Sequence, residues 1–209
     1  MKLIGMLDSP YVRRVAVSLQ LLGLRFEHEA LSVFRTFEQF RQINPVVKAP
    51  TLVCDDGGIL LDSTLILQYA EALAGRSLLP TALPALQREL KIIGLALAAC
   101  EKAVQIVYEH ELRPAEKLHQ PWVDRVHAQL LSAWRMLEEE ALRAPLPVTS
   151  ATMSQAGVSV AVAWQFTQQM LPGAVPAGDF PVLAAWSARA EALPEFQAAP
   201  HGLGTVRAG

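Results

Sequence analysis

The chain has 209 residues, 52% of them hydrophobic and 18% charged, with a formal net charge of −2. That length suits two small domains better than one core, and the composition provides a sizeable buried interior rather than wholesale disorder. Acidic and basic residues are interspersed, so no basic stripe points to nucleic acid and no long charge run points to a membrane surface.

The apolar patch before Asp8 is only about five residues long, too short for a signal-peptide core. The most apolar later stretch, "AGVSVAVAW", is about half the length a bilayer span requires. A soluble cytoplasmic protein is expected. Cys54 and Cys100 form neither a CxxC nor a metal-ligand spacing, and the five histidines form no HxxxH or HExxH. No metal site and two reduced, buried thiols are therefore expected.

In chain order, "KLIGML" is a short apolar run that predicts a buried strand. From Pro10 to Leu22, apolar Val12, Val15, Ala16, Leu19 and Leu22 recur at three and four, predicting a helix closed by Gly23. "RFEHEAL" alternates and predicts a second strand, and "TFEQFRQI" a short helix stopping before Asn44-Pro45. "PTLVCDDGGILLD" predicts two strands around a hairpin turn, followed by the amphipathic helix "STLILQYAEAL", closed by Gly75. The order is β-α-β-α-β-β-α. A helix between the first two strands makes that pair parallel, and the hairpin makes the last pair antiparallel.

After the Pro-bearing connector "GRSLLPTALP", only helical patterns remain. Ala85–Arg113 and His119–Arg143 carry apolar stripes. Thr152-Met-Ser-Gln155 has the Thr-x-x-Gln form of a capping box, opening a helix to about Met170 that is apolar nearly all round. Such a helix belongs in the middle of a bundle. "PVLAAWSARAEALPEF" predicts a final helix with a tail.

Some of these helix starts have the residue types for chemistry. Ser9-Pro10 is a favourable N-cap and N1 pair, worth about 1 kcal/mol as a cap alone. No Gly-x-Ser-x-Gly elbow makes it a hydrolytic nucleophile. Asp62-Ser63 caps the third helix, where a positive helix end also favours an anion.

Taken in order, "SPYVRRV", "NPVVKAPTL", "DSTLILQYA" and "TMSQAGVSVAVAW" resemble the glutathione transferase family, of the bacterial cytosolic type with serine at the catalytic position. The resemblance spans essentially the whole chain and includes "FPVLAAWSARAEALPEFQAA" as the closing helix. It implies an α/β plus all-α architecture, with a thioredoxin-like domain at 1–76, a linker at 77–84 and an all-helical domain at 85–209. It implies a cytoplasmic homodimer and a detoxifying transferase that uses glutathione as co-substrate on a small hydrophobic electrophile.

Residue by residue, the resemblance makes Ser9 the donor that stabilises the glutathione thiolate, with the Tyr11 amide as a second donor. It implies a cis peptide at Ala49-Pro50, with the Ala49 backbone pairing with the cysteinyl unit and Lys48 meeting the glycyl carboxylate. Ser63 takes the γ-glutamyl carboxylate and Asp62 its ammonium. Leu7, Tyr11, Tyr108 and Trp164 are expected to line the electrophile pocket.

A serine where glutaredoxin-like relatives have cysteine disfavours thiol–disulfide exchange. Isomerisation, dehalogenation, ether cleavage and non-catalytic binding on the same fold remain open. Gln155 stands where the family more often has Asp. Val47 stands where Gly is common, and its β-branch argues against a positive φ. Arg13 and Arg14 either steer anionic glutathione or face solvent.

Overall fold

The structure is a computed structural model and describes residues 1–207. It separates into two compact units, one of 1–78 with the described tail from 192 to 207, the other of 79–191.

In the first unit, β1 (Lys2–Ile4), β2 (Glu27–Glu29), β3 (Thr51–Val53) and β4 (Ile59–Leu61) form one sheet in the order β2-β1-β3-β4. β1 runs parallel to β2 and antiparallel to β3, and β3 runs antiparallel to β4. Helices α1 (Pro10–Leu21), α2 (Phe37–Ile43) and α3 (Ser63–Ala74) complete the β-α-β-α-β-β-α order. This is a thioredoxin-like domain. Leu3, Ile4 and Leu52 from the sheet are buried together with Val12, Val15, Ala16 and Leu19 of α1.

The second unit holds α4 (Leu83–Glu111), α5 (Gln120–Arg143), α6 (Gln155–Met170) and α7 (Pro181–Glu191). α6 is buried on almost every side, as its lack of a charged face predicts. Trp164 of α6 meets Trp134 of α5 edge-on, with ring centroids 5.0 Å apart, and Phe180 at 5.9 Å. Pairs of this geometry add about 0.5–1.5 kcal/mol beyond area burial.

The start of α6 corrects the capping-box reading. Its N-cap is Ser154, whose Oγ accepts from the Gly157 amide at 3.2 Å, while Thr152 pairs with Thr149 in an exposed turn. Gln155 is the first residue of the helix. A further amide of that turn is met from another helix: Glu89 of α4 accepts from Ala156 N, and also from Ser154 Oγ, both at 3.1 Å. Glu138 of α5 does the same for α7, accepting from Val182 N at 2.8 Å and Leu183 N at 2.9 Å. A carboxylate on a helix N-terminus satisfies otherwise orphaned amides and complements the helix dipole.

The tail also differs from expectation. The sequence reading places everything after 85 in the helical domain, yet 192–207 lies in the sheet unit. There α8 (Pro194–Ala198) packs on α1. Arg13 is one of the residues that hold it there, and it is buried rather than at the surface. Its Nε donates to the Ala199 carbonyl at 2.7 Å, one Nη donates to Phe196 O at 3.4 Å, and the guanidinium lies 5.7 Å from the Phe196 ring centroid.

Two stability predictions follow from the helical unit. Ser154→Ala should cost about 1 kcal/mol and Thr152→Ala under about 0.5 kcal/mol in urea melts. Glu140, hydrogen-bonded to Lys91 and facing Arg143 and Arg88, has its carboxyl held below the ordinary value of 4.5 against the opposing effect of burial. A depressed carboxylate contributes stability that is complete above its unfolded value and is lost as pH falls through the folded one. Glu140→Gln should therefore flatten the loss of stability below pH 4.5 in acid titrations followed by circular dichroism.

Candidate functional site

The site region is built around α1. Gly5 ends β1 at φ +136°, and a Cβ there would lie 2.6 Å from Val12 Cγ2 and 3.2 Å from Ala49 Cβ. Only glycine fits that approach, which presses the end of β1 against both the first turn of α1 and the Ala49 loop. Four residues on, Ser9 is the N-cap of α1, its Oγ accepting from Val12 N at 3.4 Å, with Pro10 as the first helical residue. Asp8 is half-buried, and burial pushes its carboxyl above the usual carboxylate range. His201, the Ser9 amide and Arg35 act in the opposite direction.

The Ala49-Pro50 peptide is cis. Pro50 is buried, Ala49 half-buried and Lys48 exposed. Val47 has φ +51°, against the expectation from its β-branch. The reason is a hydrogen-bonded brace that sequence reading missed. Buried Asn44 accepts from Val46 N at 3.0 Å and donates to Thr51 Oγ1 at 2.8 Å, its carbonyl accepts from Val47 N, and Thr51 donates to Lys48 O at 2.7 Å. Together these outweigh the roughly 1–2 kcal/mol that a left-handed residue with a side chain costs.

At α3, Asp62 is the N-cap at φ +74°, its Oδ1 accepting from Thr64 N at 2.9 Å. Ser63, the next residue, is 3% exposed, and its Oγ accepts from Arg14 Nη1 at 3.1 Å. The same nitrogen donates to Thr64 Oγ1 at 3.1 Å. Arg14 is 2% exposed, so neither solvent exposure nor long-range steering describes it. It places a positive charge beneath the N-terminal turn of α3, which already favours an anion. With Arg14 donating, the Ser63 hydroxyl proton remains to be offered elsewhere. Two adjacent arginines on a helix read equally well as a solvated face, so their burial follows only from the acceptors that the fold brings to them.

Within this unit Ser9 and Tyr11 stand at the start of α1, Ala49 and Pro50 form the cis peptide before β3, and Asp62 and Ser63 start α3. Leu7 is not among them: it is fully buried and serves the core. Trp164 is likewise taken up by core packing in the helical unit, between Trp134 and Phe180. Tyr108, on α4 of that unit, is 43% exposed. Among the described residues no group of three His, Cys, Asp or Glu is arranged to hold a metal ion, and no helix is long and apolar enough to cross a membrane.

Residues 3–78 match the family description "Glutathione S-transferase, N-terminal domain". A glutathione transferase family member from Pseudomonas fluorescens Pf-5, crystallised with bound glutathione, is 31% identical, with a TM-score of 0.84 over 96% of this chain and 98% of that one. This chain belongs to the glutathione transferase family. A second structure described as a glutathione transferase family member from Pseudomonas fluorescens Pf-5, holding S-(propanoic acid)-glutathione, is 29% identical over 97% of this chain and 98% of its own, with a TM-score of 0.81. An uncharacterised GST-like protein from Escherichia coli strain K12, YibF, is 26% identical over 83% of this chain and 86% of its own.

The left-handed Val47 gives a test of the family-variable loop. At an ordinary φ, Val47→Gly would lose roughly 0.4–1 kcal/mol or more through unfolded-state entropy. At φ +51° the variant should match or exceed the parent's urea midpoint.

Proposed function

We propose that this transferase-family chain binds glutathione and transfers its thiolate to a small hydrophobic electrophile, with Ser9 stabilising the thiolate. The observation that carries the reading is the N-cap geometry of Ser9. Its oxygen accepts from the Val12 amide, so its proton is the group offered outward at the positive end of α1, next to the junction of Gly5 with Ala49. A cysteine-like thiol has a pKa near 8.5, and each unit of depression takes about 1.4 kcal/mol. A hydroxyl donor, the helix end and the Tyr11 amide supply interactions of that size.

In this reading the tripeptide lies along the segments bordering α1. The cysteinyl unit pairs with the Ala49 backbone, and the glycyl carboxylate meets Lys48. The γ-glutamyl carboxylate meets the Ser63 hydroxyl and the first amides of α3, with Arg14 as a buried charge beneath them. The γ-glutamyl ammonium meets Asp62. The thiolate then attacks the electrophilic carbon: an S–C bond forms, and the displaced electron pair leaves with the departing group or passes to a neighbouring atom that takes up a proton. The thioether bound in the Pseudomonas relative is the kind of product such a step yields, which favours transfer over binding alone. The exposed residues Leu65, Tyr69 and Leu73, spaced four apart on α3, support a second copy of the chain as partner in a cytoplasmic homodimer.

Ser9→Ala should raise the thiol pKa of bound glutathione and lower kcat at pH 7 by roughly 10- to 100-fold, the equivalent of about 1.5–3 kcal/mol for a hydrogen bond to a charge. Glutathione affinity by calorimetry should be largely kept. An unchanged pH–rate profile would remove the Ser9 role, and a parent protein that binds no glutathione would remove the whole reading.

A further inference from the structure

His28 lies on β2, the edge strand beside β1, with its imidazole half-buried and both ring nitrogens engaged. Nε2 is 2.7 Å from the Gly5 carbonyl. A carbonyl only accepts, so Nε2 carries the proton. Nδ1 accepts the Val206 amide at 3.0 Å, so Nδ1 carries none. The two contacts define one neutral tautomer, and each reaches a different place. One grips the end of β1, where Gly5 presses on Val12 and Ala49. The other grips the tail.

Two of the contacts that hold the tail are of opposite chemical character. At Ala199 the holder is the guanidinium of Arg13, a donor only. At Val206 it is the imidazole of His28, a side chain whose ring nitrogens either donate or accept according to protonation. Just outside both, the Arg207 amide donates to Ala198 O at 2.8 Å, closing 198–207 into a loop. That loop carries His201 close enough to act on Asp8, the residue before Ser9.

We propose that His28 is a proton-sensitive latch, holding the loop 198–207 against the site-bearing end of β1 when neutral and releasing it when protonated, with Arg13 as the fixed hinge. An imidazolium keeps its Nε2–H bond to Gly5, but its new Nδ1–H confronts the Val206 N–H, donor against donor, and that contact breaks. The charged groups on the elements packed around His28 are Lys2 on β1, Glu27 and Glu29 on its own strand, Asp8 in the β1–α1 loop, and His201 and Arg207 on the tail. Glu27 and Glu29 alternate with His28 along the strand, and Lys2 Nζ lies 3.6 and 3.5 Å from their carboxylates. Burial is the larger influence on His28 and lowers its pKa from 6.5, with the Gly5 carbonyl opposing it. A lowered histidine favours the latched, neutral form above 6.5, and that contribution is lost as pH falls through the folded value.

The test is hydrogen exchange of the C-terminal peptide, expressed as protection factors so that the intrinsic pH dependence cancels. It does not depend on glutathione being the ligand. In the parent protein, protection at Val206 should fall at least about tenfold between pH 7.5 and pH 5, while α1 and α6 peptides keep theirs. His28→Gln places an amide donor toward Gly5 but no acceptor at the Nδ1 position, and should lose Val206 protection at both pH values. His28→Asn places a non-titrating acceptor at the Nδ1 position and should keep protection at both. Parent protection that does not change with pH, or His28→Gln with parental protection, overturns the proposal. Should a variant fail to fold, nitrogen-15 shifts of His28 in the parent decide: an Nδ1-protonated tautomer at pH 7.5 overturns the latch, and an Nε2-protonated one titrating below 6.5 supports it.

Discussion

Helix α1 takes two guanidinium groups into the interior, and the arrangement of the sheet unit depends on where they end. Moving an ion out of water costs several kcal/mol even after relaxation, so a buried arginine persists only where acceptors are fixed around it. Arg14 finds them in the hydroxyls of Ser63 and Thr64, which binds the start of α3 to α1. Arg13 finds them in the carbonyls of Phe196 and Ala199, which brings the end of the chain back to the beginning. Adjacent residues on one helix thus organise an anion-favouring helix end on one side and the tail on another.

Helix starts are the repeated device of this molecule. Ser9, Asp62 and Ser154 cap α1, α3 and α6 locally, while Glu89 and Glu138 cap α6 and α7 from neighbouring helices. The chemistry is the same in every case, an oxygen acceptor on orphan amides. The outcome depends on what else reaches the turn. At α6 and α7 a carboxylate occupies the positive end and the result is packing. At α1 the cap is the Ser9 hydroxyl, and at α3 the Asp62 carboxylate meets Thr64 N while Arg14 donates to the Ser63 hydroxyl.

The fold was largely legible in the residues because each element carried its own signal. The apolar period of three and four in α1, the turn at Asp55–Gly58 and the all-round apolarity of α6 each state a local structure, and local structure in this order admits few topologies. Ser9, Pro50, Asp62 and Ser63 stand at element boundaries that punctuation residues mark, so their places in the chain were legible as well. What the residues left open lay wherever a side chain acts at a distance in sequence. Leu7 and Trp164 suit a pocket or a core equally by residue type, and only the folded chain shows both to be buried. Thr152 looks like a cap, but Ser154 is the one that meets the first turn of α6.

By itself, then, the sequence determined the order of strands and helices and the residue types at each helix start, because these follow from periodicity and backbone preference within a dozen residues. Tertiary structure alone decided the left-handed Val47, the burial of both arginines, the return of the tail and the tautomer of His28. Each of these depends on a hydrogen bond whose partner is supplied by a separate turn or element, Asn44 and Thr51 for the loop and Gly5 and Val206 for the imidazole. A residue's own side chain says what it can donate or accept. Which partner stands opposite is decided by the folded chain.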